Sequence, residues 1–385
     1  MKMVFTDRRL RTIQQVMAGW ILVFLVCIPA ATASNLVIDG VRLNQTVLTP
    51  GEEIRWSFSL SREARVTVQV FTPDFDIARH LITDRIQPAG INTVVWDGRD
   101  DAGNMVPNEA YLVGIAATGP DGERAVYDPT FNSGGEIADI RIEEISRPGD
   151  RVNIGYTVVR PSRICLKAGI RNGPLLNSLL EGAPMPAGTH VHVWDGLDNT
   201  GRIQIMEMTG AHLYMEGVVL PDNSVIVQDS GGNYREYRST LNQAQQGILT
   251  YPDARKSLLA RMEQGISAQA LVRRSLNISP AFTVYLEDEV TGLAEKSVSA
   301  VSGEIKLKVA VAPESMYIFN ETRHEIIIFV DNRRFDEEEH AHTPYSYILD
   351  TRKLTNGRHF VTINQASLTG RVGAYSFYLD VENNQ

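Results

Sequence analysis

Two tryptophans, Trp96 and Trp194, each open a Trp-Asp-Gly-x-Asp run, and they stand 98 positions apart. The same offset carries Pro50-Gly51 onto Pro148-Gly149, Ala64 onto Ser162, Phe58 onto Tyr156 and Pro88-Ala89-Gly90 onto Pro186-Ala187-Gly188. One offset running through turns and apolar positions alike means one structural unit made twice. Each unit is built of short apolar runs between Pro/Gly turns, which is the pattern of a β-sandwich. The fold class expected is all-β: three tandem β-sandwiches with a short helical linker.

Period-two alternation marks the strands of the first unit. It is clear in Ile54-Arg55-Trp56-Ser57-Phe58-Ser59-Leu60 and in Val66-Thr67-Val68-Gln69-Val70. Ala110 to Ile115 reads as the returning strand. In the second unit the match resumes at Ala211, after an insertion following Gly201, and the Val106-Pro107 step is lost. The expected boundaries are residues 34–132 and 133–229 for the two repeats, 230–275 for a linker and 276–385 for a third sandwich. The linker drops the strand rhythm, and 253–272 places apolar residues at helical spacing. The third unit has no Trp-Asp-Gly run. Glu325 to Val330 reads there as a strand buried on both faces, and Asn356-Gly357 as a hairpin turn.

Residues 1–33 are read as a secretory signal. Arg8, Arg9 and Arg11 precede an apolar run, and Ala31-Thr32-Ala33 supplies the small residues a signal peptidase needs. The mature chain is then expected to begin near Ser34, exported and placed in the periplasm, on the cell surface or outside the cell. An uncleaved anchor is the alternative, and in that case the signal segment is the only part that meets a membrane. The net charge of −9 argues against a nucleic-acid partner. Only Cys165 remains beyond the signal, in the strand-like run Arg163-Ile164-Cys165-Leu166, and it is read as a buried, inert thiol.

Gly90, Val94, Trp96-Asp97-Gly98-Arg99-Asp100-Asp101-Ala102-Gly103-Asn104, Val106-Pro107 and Ala110-Tyr111 together closely resemble the Ig-like domain of the flagellar hook-capping protein. The usual pattern has Gly before the Tyr; here Glu109-Ala110 stands there. The second repeat keeps Gly188, Trp194-Asp195-Gly196, Asp198 and Gly201. The resemblance covers about half of the chain after the signal. It implies a sandwich fold, recurrent in bacterial secreted and surface proteins as spacers, adhesion modules and subunit contacts. The hook-capping protein itself is not implied, since its helical N-terminal assembly region has no counterpart.

Sandwiches of this kind serve many functions, so function must be read from sites. Asp97, Asp100 and Asp101 form an oxygen-rich loop, but Arg99 stands third and no glutamate closes it, so a Gly/Asp-stabilised hairpin is preferred to a calcium site. His340 and His342 alternate beside Glu337-Glu338-Glu339 and suit a transition metal; a solvated hairpin loop is the preferred reading. No cofactor and no catalytic residue is expected, because no nucleophile elbow, zinc-protease motif or phosphate loop occurs. Arg333, Arg334, Asp336 and Glu337 make a mixed-charge patch suited to a protein contact, whose charge is expected to change between about pH 5 and 7 through its histidines. The leading reading is a non-enzymatic exported scaffold or binding protein with an unidentified protein partner. The alternatives are an assembly or chaperone-like accessory for an extracellular polymer, and a carbohydrate-binding module.

Overall fold

The alternating stretches of the first repeat form strands β1 (Ile38–Leu43), β2 (Val47–Leu48), β3 (Ile54–Leu60), β4 (Ala64–Phe71), β5 (Ile77–Gln87), β6 (Gly90–Trp96), β7 (Ala110–Thr118) and β8 (Arg124–Tyr127) in the computed structural model. The structure describes residues 35–241, 278–287, 289–295, 300–321, 323–367 and 370–383. The expected signal segment, residues 1–33, and the expected amphipathic helix, residues 253–272, lie outside the described residues. No helix among the described residues is long and apolar enough to cross a membrane.

In the first sandwich, β1-β3-β6 forms one sheet, while β5-β4-β7 forms the second, with β8 on the far edge of β7. Alternation drives the packing. Ile54, Trp56, Phe58 and Leu60 point inward from β3 and meet Val66, Val68 and Val70 of β4 and Trp96 of β6. Trp56 and Trp96 stack with ring centroids 6.2 Å apart, and Tyr111 meets the Trp96 ring edge-on at 5.4 Å. Buried aromatic pairs of this kind add stabilisation beyond the area they remove from water.

The second repeat reproduces this order strand for strand. Its elements are β9 (Ile140–Ser146), β10 (Val152–Val158), β11 (Ser162–Ile170), β12 (Leu175–Met185), β13 (Gly188–Trp194) and β14 (Ala211–Val219). They pair as β9-β10-β13 and β12-β11-β14. Ile54 opposes Trp96 in one repeat and Val152 opposes Trp194 in the other, so the register is kept as well.

The two repeats diverge after their last common strand. Beyond β7 the chain turns back as β8. Beyond β14 it leaves the second sandwich and inserts β15 (Val225–Val227) between β2 and β7 of the first. Val225 and Val227 are buried in the first core. A helix, α1 (Tyr234–Thr240), capped by the Asn233 side chain, follows and docks on the same sandwich. The Tyr234 hydroxyl donates to Asp74 Oδ2 at 2.9 Å, and Arg238 Nε to Asp76 Oδ2 at 2.6 Å. Burial and Asp74 push the Tyr234 hydroxyl well above its ordinary pKa. Burial opposes the Arg238 charge, but Asp74 and Asp76 outweigh it and hold the guanidinium protonated. Residues 221–229, expected in the second repeat, and 230–241, expected in the linker, therefore pack with the first sandwich. The physical reason is an apolar Val-Ile-Val run that finds an open edge on β7.

The third sandwich comprises β16 (Phe282–Leu286), β17 (Glu304–Val311), β18 (His324–Val330), β19 (Arg333–Glu338), β20 (Tyr345–Asp350), β21 (Gly357–Ser367) and β22 (Val372–Val381). Its sheets are β16-β17-β20 and β19-β18-β21-β22. This is the strand order of the first sandwich, reached without the Trp-Asp-Gly run. Two local expectations are corrected. β18 is not buried on both faces throughout, since Ile327 is half-buried. Asn356-Gly357 is not a hairpin turn, because β20 and β21 belong to different sheets. The tight hairpin lies instead at Asp331-Asn332, both at positive φ (50° and 65°), between β18 and β19.

Candidate interaction surfaces

Each Trp-Asp-Gly run is a self-contained turn. Trp96 Nε1 donates to the Arg99 carbonyl at 2.8 Å, and Trp194 Nε1 to the Leu197 carbonyl at 3.0 Å. Asp97 and Asp195 accept from the backbone N–H two residues on. Asp100 accepts from Asn104 N at 2.8 Å; Asp198 accepts from Arg202 N and Ile203 N, both at 3.0 Å. Gly98, Gly103, Gly196 and Gly201 all take positive φ, as such turns need. The remaining acid, Asp101, lies 2.6 Å from His80 Nδ1. Burial opposes the ionised Asp101, but its bonds to His80 outweigh that and hold its pKa low. The three carboxylates of the first loop are thus engaged by the fold.

The glycines provide a graded test. Alanine at Gly103 meets open space, so it should cost about 1–2 kcal/mol, from the backbone conformation alone. At Gly98 the added Cβ would also stand 2.6 Å from Met105 Cε and 2.9 Å from Leu48 Cδ2. Denaturant melts should rank Gly98→Ala below Gly103→Ala; the reverse order would show that the turn does not pack as described.

Among the described residues, no group of three or more His, Cys, Asp or Glu side chains is placed to hold a metal ion. His340 and His342 follow β19 in irregular chain rather than along a strand. His342 packs edge-on against Tyr345 at 5.1 Å, and the His340 N–H donates to Glu338 Oε1 at 3.0 Å. The expected contact patch sits on β19, an edge strand of the third sandwich. Arg333 and Arg334 are exposed; Arg334 pairs with Glu337, and Asp336 accepts from the Tyr347 hydroxyl at 2.8 Å. Burial first, then that bond, pushes the Tyr347 hydroxyl above its ordinary pKa.

The base of this hairpin is held by His359. Its Nδ1 lies 2.7 Å from Asp331 Oδ2, and its Nε2 lies 2.8 Å from the Thr355 carbonyl. With an acceptor at each ring nitrogen, both must donate, and only the imidazolium can do so. Burial opposes the charge, but the Thr355 carbonyl and Asp331 outweigh it and raise the pKa above its ordinary 6.5. A raised folded-state value gives stability that is complete below the unfolded value and is lost as pH rises through the folded one. Thermal stability should therefore fall as pH rises above about 6.5, and His359→Gln should remove that slope. A pH-independent difference between the two proteins would refute the charged state.

Polar contacts missed in the sequence reading tie the sandwiches together. Arg163 of β11 and Glu109, just before β7, meet at 2.8 Å with side chains 0% and 2% exposed, and Arg163 Nη1 also donates to the Gly182 carbonyl. Between the second and third sandwiches, Glu216 Oε1 lies 2.9 Å from Lys167 Nζ and 2.8 Å from Arg371 Nη1. Burial opposes the Glu216 charge, but Lys167 and then Arg371 outweigh it and lower its pKa. Arg371 also donates to Cys165 Sγ at 2.9 Å, and Cys165 is buried. Asn364 bonds both main-chain groups of Leu175 across the same junction.

A surface groove of about 460 Å³ lies beside that junction and is lined by Thr200, Arg202, Glu295, Arg358, Tyr378 and Asp380, among others. Arg358 stacks 4.3 Å above the Tyr378 ring. The lining contains neither Cys nor His.

No family model matches the sequence, and no curated protein matches it. Among solved structures, the chain is similar to the fibronectin(III)-like modules of Clostridium thermocellum CbhA, at 11% identity over 89% of this chain and 95% of that one, with a TM-score of 0.19. It is also similar to FlgD from P. aeruginosa, at 19% identity over 33% of this chain and 88% of that one, TM-score 0.20. A 1.5-MDa bacterial ice-binding adhesin matches at 10% identity over 91% of this chain and 98% of that one, TM-score 0.18. At these values none of the three bears on function.

Proposed function

We propose that this protein is a non-catalytic scaffold that binds another protein after export, with its first two sandwiches of the hook-cap Ig-like type. The observation that supports this most is how the charged residues are used. The carboxylates of the Trp-Asp-Gly loops cap turns, and Glu109, Arg163, Glu216, Lys167 and Arg371 join neighbouring sandwiches. Chemistry that an enzyme would aim into a pocket is spent here on holding sandwiches against one another. What remains exposed is strand edge and the mixed-charge strand β19, with Arg333 and Arg334 outermost.

The test is photo-crosslinking in the producing cell, with a benzophenone amino acid at Arg333. A discrete adduct with one partner, lost when the neighbouring Arg334 is reversed to Glu in the crosslinking variant's background, is the expected result. No adduct from any exposed position of the third sandwich would defeat the binding reading there. Turnover of a peptide or glycan by the pure protein, abolished by one point substitution, would defeat the non-catalytic reading.

A further inference from the structure

Most sheet edges of the first two sandwiches are protected. β1 breaks register and carries Asp39 and Arg42; β9 breaks register and carries Arg141, Glu143 and Glu144. β5 and β12 slip against their neighbours, and Ser178 of β12 reaches the Val372 carbonyl of the third sandwich. β14 meets residues 135–138 at its last positions: Gly217 and Val219 accept from Ala138 N and Gly135 N, and Val219 N donates to the Glu136 carbonyl. Main-chain groups alternate across an antiparallel strand, so Leu213 and Met215 direct theirs away from β11 as well. Bulges, charges and covering chain are the usual means by which an edge is kept from pairing with another molecule.

β6 and β13, the matching edge strands of the two repeats, have none of these. Each keeps an unbroken register over its seven residues, and neither contains Lys, Arg, Asp, Glu or Pro. In the second repeat Val159 N donates to the Asp139 carbonyl, so Val159, Thr157, Gly155 and Asn153 turn their main-chain groups toward β9. The alternate residues of β10 bond β13. Thr189, Val191 and Val193 therefore direct N–H and C=O outward, and no strand among the described residues receives them. The Val191 and Val193 side chains are 63% and 52% exposed. Opposite Thr189, Val191 and Val193 on β10 stand Thr157, Gly155 and Asn153, none of them charged. On β6 the pattern is the same except that Arg55 opposes Val95.

We infer that β13 pairs edge to edge with β13 of a second copy of this chain, antiparallel about a twofold axis at Val191. In this register Val191 meets its own counterpart, and Thr189 meets Val193 in both directions. Every open N–H and C=O of these residues then finds a partner. Cross-strand pairs of β-branched side chains add to the main-chain bonds. The first charge beyond the strand, Asp195, falls opposite Ala187 and not opposite another acid. Charge selects the occupant. The chain carries a net charge of −9, so two copies repel unless they meet through a neutral strip, and β13 with its β10 neighbours is such a strip. A charged strand would find no countercharge there, whereas a second β13 brings no charge. Because the same patch is used on both copies, the contact closes as a dimer and does not propagate as a fibre.

Sedimentation of the full purified chain between about 1 and about 100 µM tests the pairing. A reversible monomer–dimer equilibrium is expected, with amide exchange at Val191 and Val193 at least tenfold slower in the dimer. Val191→Lys and Val191→Glu each set like charges against one another on the axis, at an exposed side chain, and each should weaken its own dimer at least tenfold. An equimolar mixture of the two variants should associate at least tenfold more tightly than either alone, because opposite charges then meet. Thr93→Lys, at the matching place on β6, should leave the dimer intact. A parent chain that stays monomeric, exchange at Val191 and Val193 that ignores concentration, or a mixture no tighter than its components would overturn the inference. So would species larger than a dimer that are lost with Thr93→Lys, since these would mean β6 pairing with β13 in an open chain. None of these results bears on the crosslink at Arg333, so the two readings fail separately.

Discussion

Glu109→Ala should lower the unfolding free energy by about 3–5 kcal/mol, because it strands the Arg163 guanidinium in a dry interface. The pair is 2.8 Å apart with both side chains essentially inaccessible to water. Removing both charges should be far less harmful. A Glu109→Leu/Arg163→Met protein fills similar volume without a charge to desolvate, and it should recover most of the loss in a urea melt. A single variant as stable as the parent would mean that water reaches the pair.

Val227→Asp should be at least as damaging. Val227 is 1% exposed and lies in the same core as Trp56, Trp96 and Tyr111. A carboxylate there has no partner to match it, so a loss of at least about 3 kcal/mol is expected, from burial of the unpaired group. The informative readout is which sandwich responds. Near-ultraviolet circular dichroism and amide exchange should show β4 and β7 of the first sandwich loosened, while β10 and β11 of the second keep their protection. Loss confined to the second sandwich would place β15 where sequence order alone puts it.

Much of the fold could be read directly in the sequence, because a period-two pattern and a constant offset both report strand geometry. Trp96 and Trp194 make the same bond in the same place, and Ala110 and Ala211 open matching strands, as the shifted offset implied. Val225 to Val227 was the harder segment. Three apolar residues fit any sandwich, and nothing local tells which edge they will cover. A hairpin loop was expected over 331–344, but its tight turn at Asp331-Asn332 carries no glycine signal, because its positive φ angles are taken by Asp and Asn. Asn356-Gly357 looked like a hairpin, yet it precedes a crossing between sheets. Glu109 carried a legible signal. Glu109-Ala110 departs from the hook-cap pattern before Tyr111 that the sequence resembles, and Glu109 meets Arg163 in the structure. The role of Arg163, like that of Arg371, depends on contacts between residues far apart in sequence and could not be read locally.

Residue-resolved amide exchange at Ile226 and Val227 tests most directly whether the second sandwich gives up its closing strand to the first. Ile226 N–H donates to the Thr46 carbonyl at 2.8 Å and Val227 N–H to the Glu109 carbonyl at 2.9 Å. Both amides should exchange as slowly as those of β7, and Leu213 and Met215 of β14 should exchange much faster than Tyr214 between them. Fast exchange at Ile226 and Val227, together with slow exchange at Leu213 and Met215, would contradict the arrangement.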